Sequence, residues 1–269
     1  MCEEPKKKHN AYYEVLDIIV KGDHIFGEIY VPDGRAEELH PCVCLFHGFP
    51  GITSNDDIAQ ALMRRGFVVL RPYLRGAWGS EGIYSFTNAI EDAVAVAKYA
   101  YGAEGRNFGI DREHIYLAGH SMGGQTVLNA ARKLPFVKGV VAMASFNMAY
   151  LFRAKEEEYF KNFILPMGYM LHAGSPKELF LNAKDHYKET DLETAFEDLK
   201  DKNLLFIEGE FDDVAPAKEC VYPLWNQLKA YHSDTVKQLI TLPASHDFAE
   251  CRIELGQIIG DWLQKEELQ

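Results

Sequence analysis

Gly119-His120-Ser121-Met122-Gly123 places a serine midway between two glycines. A serine hydroxyl is a weak nucleophile at neutral pH. It attacks a carbonyl only when a base takes its proton and donors meet the oxyanion that develops. The G-x-S-x-G spacing serves that chemistry when a strand precedes it and a helix follows, because a sharp turn then exposes the hydroxyl and the glycines keep side chains clear of it. Ile115-Tyr116-Leu117-Ala118 reads as the strand and Gln125 to Lys133 as the helix, with Gly124 leaving further room between helix and sheet. Composition alone gives about 0.05 such matches in a chain of this length, so chance is a poor account of it.

The base and its orienting carboxylate are expected downstream. Four histidines follow Ser121: His172, His186, His232 and His246. Only His246 follows a strand-like run in a loop, Leu242-Pro243-Ala244-Ser245-His246-Asp247, and it is the expected base. His172 and His186 fall in a long intervening segment and His232 at a helix end, where an exposed or paired histidine is the ordinary state. The carboxylate belongs in the loop after Leu204–Glu208, where Asp212 and Asp213 compete; the loser would be solvated or would cap a helix. Backbone amides can bind the oxyanion. Met122 offers one at a helix start, where free N–H groups and the helix dipole favour negative charge. Phe49, in the loop His47-Gly48-Phe49-Pro50-Gly51, is the expected second donor.

These residues need a scaffold. Apolar runs of strand length recur at Tyr12–Val20, His24–Val31, Cys42–Phe46, Val68–Arg71, Ile115–Gly119, Gly139–Met143, Leu204–Glu208 and Gln238–Leu242. Lys21-Gly22-Asp23 joins the first two as a hairpin, and helix-like stretches separate the later ones, which predicts an α/β fold with an eight-stranded, mostly parallel sheet flanked by helices. One helix should start at a Ser54 cap, bury Ile58 and Leu62, and stop at Gly66. Ile90, Val94, Ala97 and Tyr101 mark the next, and Leu255, Ile258, Ile259, Trp262 and Leu263 the last. About sixty residues separate the strand ending near Met143 from the one starting near Leu204, more than a crossover helix requires. The segment predicts a helical lid insertion, which divides the chain into core 1–145, lid 146–202 and core 203–269. The lid is rich in aromatics, and Phe160 and Phe163, with Trp78, are expected at the substrate pocket.

The chain has 269 residues, 47% hydrophobic and 25% charged, a composition that excludes disorder as the main state. Its net charge of −12 repels phosphate backbones and anionic membrane surfaces, so neither nucleic acid nor membrane is an expected partner. Cys2, Cys42, Cys44, Cys220 and Cys251 are scattered without zinc-site spacing and read as reduced thiols; no metal or organic cofactor is expected. Met1 to Asn10 holds Lys6, Lys7 and Lys8 as a solvated tail with no signal-peptide pattern after it, and a cytoplasmic location is expected. The sequence leaves the oligomeric state open, a homodimer included.

With its strand-to-helix serine, eight strands and Ser…Asp…His order, the chain resembles the α/β-hydrolase superfamily over nearly its whole length. The family pattern of glycine, two residues, acid, then Val-x-Pro falls on Gly209, Asp212, Val214 and Pro216, and this resemblance selects Asp212 over Asp213. His-Gly-x-Pro falls on His47 to Pro50. Within the superfamily, the opening hairpin, Gly-His-Ser-Met-Gly-Gly and the moderate lid are similar to small bacterial carboxylesterases of the cinnamoyl or feruloyl esterase type. The stretch Tyr73-Leu74-Arg75-Gly76-Ala77-Trp78-Gly79-Ser80 lacks an aspartate and a middle glycine that many such enzymes carry, and it leans toward prolyl-oligopeptidase-like hydrolases, whose large N-terminal propeller this chain has no room for. The resemblance implies a serine hydrolase acting on a small-molecule carboxylic ester with an apolar or aromatic acyl group. A thioesterase, a small peptidase or amidase, and a noncatalytic binding protein that keeps the cleft are the alternatives.

Overall fold

The structure is a computed structural model that describes residues 8–35, 37–154 and 156–266. Cys2, Lys6 and Lys7 lie outside the described residues. Among the described residues ten strands form in chain order: β1 (Lys8–His9), β2 (Tyr12–Val20), β3 (Asp23–Val31), β4 (Gly34–Arg35), β5 (His40–Phe46), β6 (Val68–Pro72), β7 (Ile110–His120), β8 (Val137–Met143), β9 (Asn203–Gly209) and β10 (Lys237–Leu242). All eight expected strands are present and share one sheet in the order β10-β9-β8-β7-β5-β6-β3-β2, while β1 and β4 make a separate two-stranded ladder. Within the main sheet only β3 runs against its neighbours β2 and β6; the remaining pairs are parallel.

The central strands are apolar throughout because both faces are covered. Cys42, Cys44 and Phe46 of β5 point into one core with the helices Phe86–Tyr101 and Met122–Ala131. Val43 and Leu45 point into the other, where Ile58 and Leu62 of Asp56–Met63 meet Leu255, Ile259 and Trp262 of Arg252–Glu266. Cys42, Cys44, Cys220 and Cys251 are free thiols. One helix start differs from the expected one: the N-cap is Asn55, in the left-handed region at φ 58°, with no side-chain capping bond, and the Ser54 carbonyl instead accepts from Arg71 Nη1.

Between β8 and β9 the chain forms short helical pieces, among them Met148–Arg153, a π-helical turn Phe160–Ile164, a 3₁₀ turn Leu165–Met170 and the longer Pro176–His186. Pro176–His186 is set by a capping box between Ser175 and Glu178. Aromatic packing joins this segment to the main core: the Phe160 ring is fully buried, 6.0 Å from Phe86 of the helix Phe86–Tyr101, 5.9 Å from Phe152 and 6.2 Å from Phe180.

Sheet order determines where a site can lie. From β5 the chain first adds β6 on one side and then β7 on the other. The loops leaving β5 and β7 therefore diverge and open a crevice at the carboxyl ends of the strands.

Candidate active site

Ser121 stands at that crevice, between the end of β7 and the helix Met122–Ala131. Its backbone is held at φ 58° and ψ −122°, outside the regions that side-chain-bearing residues prefer. The turn closes because of what flanks it: a Cβ on Gly119 would lie 2.2 Å from the Gly123 carbonyl oxygen, and one on Gly123 would lie 2.6 Å from the oxygens of Phe46 and His47. The Ser121 amide donates to Met143 O at 2.8 Å and its carbonyl accepts from Phe146 N at 3.0 Å, which fixes the strained residue from both sides.

The three side chains selected from the sequence meet. His246 Nε2 lies 2.8 Å from Ser121 Oγ, and His246 Nδ1 lies 2.8 Å from Asp212 Oδ2. The other Asp212 oxygen accepts from the amides of Val214 at 2.9 Å and Ala215 at 2.8 Å. The Asp212 side chain is only 1% exposed. Burial opposes its ionisation, but the bond from His246 and the two amides outweigh that and hold its carboxyl below the ordinary aspartate value. An ionised Asp212 requires the proton on Nδ1, which leaves the Nε2 lone pair facing the serine hydroxyl. Asp213, the competing residue, is exposed.

Phe49 and Met122 both line the cavity above Ser121. A Cβ on Gly48 would come within 2.9 Å of Ser121 Cβ, so the loop after β5 passes directly over the nucleophile. His47 holds that loop. Its Nδ1–H donates to Gly48 O at 2.7 Å and its Nε2 accepts from Leu74 N at 3.2 Å; burial pushes its pKa down to about 4, so the ring stays neutral. The cavity has a volume of about 250 Å³ and is walled mainly by Phe49, Ile52, Phe146, Ile164, Met167 and Val214. Thr53 Oγ1 donates to Asp247 Oδ1 at 2.9 Å and so links the β5 loop to the His246 loop at the mouth.

The expected pocket residues fare unequally. Phe160 does not line the cavity: it packs into the main hydrophobic core against Phe86, Phe152 and Phe180. Trp78 is 41% exposed and lies outside the cavity wall; its Nε1–H donates to Pro50 O at 3.0 Å, so it braces the β5 loop from behind. The side chain of Phe163 lies outside the described residues. The insertion reaches the cavity instead through Phe146, Ile164 and Met167, which no spacing rule in the sequence distinguishes from their apolar neighbours. Two further groups escaped the sequence reading. Glu208, at the end of β9, is buried with neither carboxyl oxygen hydrogen-bonded. Arg75 forms an ion pair with the fully buried Asp92, at 2.5 Å, and anchors the loop after β6. Among the described residues, no cluster of His, Cys, Asp and Glu could hold a metal ion, and no helix is long and apolar enough to cross a membrane.

The doubly covered sheet with a strained serine at its switch point defines a class, and the sequence matches the alpha/beta hydrolase fold family over residues 41–245; the chain belongs to that family. Among individual relatives, it is 28% identical over 212 residues to YitV, a proposed esterase of Bacillus subtilis (strain 168), covering 74% of this chain and 78% of that one. Est1E from Butyrivibrio proteoclasticus superimposes with a TM-score of 0.70 at 16% identity, over 95% of this chain and 99% of that one. The esterase from Pyrobaculum calidifontis gives a TM-score of 0.70 at 19% identity, over 97% and 87%. At those identities the structural likeness concerns the fold.

Proposed function

We propose that the protein is a serine hydrolase that cleaves carboxylic esters through an acyl-enzyme on Ser121. The observation that carries this reading is the continuous chain from Asp212 through His246 to Ser121 Oγ, with 2.8 Å at each step, beneath an apolar cavity. Ser121 Oγ bonds to the ester carbonyl carbon as its proton passes to His246 Nε2, and the imidazolium formed is stabilised by Asp212. The amides of Phe49 and Met122 receive the oxyanion. The carbon–oxygen bond to the alcohol then breaks, and the alkoxide leaves with the proton from His246. Water attacks the acyl-serine, gives its proton to His246, and the acid departs as Ser121 regains its hydrogen. The esterase name of YitV and the ferulic acid bound to Est1E in one of its structures support a small ester substrate.

A cavity of about 250 Å³ with apolar walls suits a short to medium acyl chain or a single aromatic ring. Residues 146–202 act as the lid in this reading, since they supply Phe146, Ile164 and Met167 to the wall. The test is steady-state hydrolysis of acetyl, butyryl, octanoyl and cinnamoyl esters, one thioester and one aminoacyl amide, run beside Ser121→Ala. Ester turnover that vanishes in the variant supports the proposal. Faster cleavage of amide or thioester would reassign the substrate class, and a folded wild type inert to all of them would favour a noncatalytic binder.

A further inference from the structure

We propose that His120 is a positioning residue for His246, holding the backbone of the base in register with the nucleophile. His120 Nε2 lies 2.8 Å from the His246 carbonyl oxygen. A carbonyl oxygen only accepts, so Nε2 carries the hydrogen and His120 is the donor. Its ring is buried at the end of β7, with its centroid 5.0 Å from the His246 ring and 6.2 Å from that of Phe248.

The neighbouring contacts show why this bond matters. The loop is tied down at Ser245, whose amide and hydroxyl meet Glu250 Oε2 at 3.2 and 3.0 Å, and at Asp247, whose carbonyl accepts from Arg252 Nη1 at 3.2 Å. Among the described residues, the one hydrogen bond to the backbone of His246 itself comes from His120. His120 and Ser121 are consecutive, so two bonds join one dipeptide to one residue: Ser121 Oγ meets the imidazole of His246, and His120 meets its carbonyl. A displacement of the β7 terminus therefore carries base and nucleophile together. Without the second bond, the His246 backbone can turn about its flanking anchors and swing Nε2 away from the hydroxyl.

The donor must also keep its protonation state while His246 gains and loses a proton. Burial and the neighbouring His246 push the His120 pKa down to about 4, against the opposing effects of its bond to the His246 carbonyl and of Asp247. A neutral ring donates the same bond throughout the cycle and adds no charge beside the imidazolium.

The proposal rests on His246 being the base of the proposed function. It is tested with His120→Leu, which keeps bulk but no donor, and His120→Gln, whose amide nitrogen stands the same number of bonds from the backbone as the imidazole Nε2. On a p-nitrophenyl ester, kcat of His120→Leu is expected to fall between about tenfold and about hundredfold at unchanged KM, while His120→Gln recovers to within about threefold of wild type. A merely structural role would instead lower thermal stability and move KM with kcat, with no rescue by Gln. The proposal is overturned if His120→Leu retains kcat within about twofold, or if His120→Gln is as slow as His120→Leu. Should His120→Leu fail to fold, His120→Asn, whose amide is too short to reach, replaces it, and equal rates for Asn and Gln are the contradicting result. A wild type without ester turnover, or turnover that survives Ser121→Ala, would refute the proposed function and is read in the same assay.

Discussion

At the residue scale, the account depends on one proton path and on the groups that keep it oriented. Asp212 accepts three hydrogen bonds and is held ionised, so its replacement by Asn removes the charge and offers His246 a donor or a weaker acceptor. Asp212→Asn is expected to lower kcat by about 10⁴-fold, whereas Asp213→Asn should stay within about threefold, since Asp213 faces solvent. Parallel kinetics of the two variants decide this, and the reverse order would move the acid by one position. The meeting of Ser121 with His246, and the place of Phe49 and Met122 at the same cavity, were legible because local spacing and strand context constrain these positions tightly. Asp212 against Asp213 was not settled by spacing alone, because adjacent loop residues differ only in which one the turn aims inward. His120 and Glu208 were invisible as contributors: nothing in a linear sequence says that a residue 126 positions away will meet the His120 ring.

At the element scale, the strands were readable because both faces of the central ones are apolar, and the helix Asp56–Met63 because Ile58 and Leu62 recur at helical spacing. Its cap was misplaced by one residue because Asn55 adopts a left-handed backbone, a tertiary choice that Ser54 does not signal. The insertion was visible only as an overlong connection. Its apolar residues divide between the main core and the cavity according to packing, and this is why Phe160 turned out to be core while Phe146, Ile164 and Met167 form the wall. Phe160→Ala is accordingly expected to destabilise the protein by about 3–5 kcal/mol in denaturant unfolding, because it empties a closed ring cluster. Met167→Ala should leave stability nearly unchanged and shift kcat/KM toward longer acyl chains in a chain-length series. If trimming Met167 lowers the rates on all esters equally, its side chain does not shape the acyl site.

At the scale of the whole molecule, two buried charge arrangements behind the site set its tolerance. Arg75 and Asp92 brace the loop that carries Leu74, whose amide in turn holds His47. Asp92→Ala leaves the buried guanidinium with Glu91, at 2.9 Å and partly exposed, as its remaining carboxylate, and should cost about 3 kcal/mol of stability, measured by chemical unfolding. Glu208 acts in the opposite sense. Burial first, and then the negative charge of Asp212, hold its carboxyl well above the ordinary glutamate value. The folded state therefore keeps a proton that the unfolded chain releases. The stability this provides is complete below the ordinary glutamate value and is lost as pH rises through the raised one. Glu208→Gln stays neutral, so its advantage in melting temperature over wild type should widen as pH rises above the ordinary glutamate range. Melting curves that decline in parallel would show that Glu208 ionises freely in the fold.

The central claim is that Ser121, activated through His246 by Asp212, is the atom that becomes acylated. It is tested most directly by incubating the protein with diethyl p-nitrophenyl phosphate and locating the adduct by peptide mass spectrometry. One diethylphosphoryl group on Ser121, absent in Ser121→Ala and formed far more slowly in Asp212→Asn, is the expected result. An adduct on another residue, or none on a folded wild type, would contradict the account.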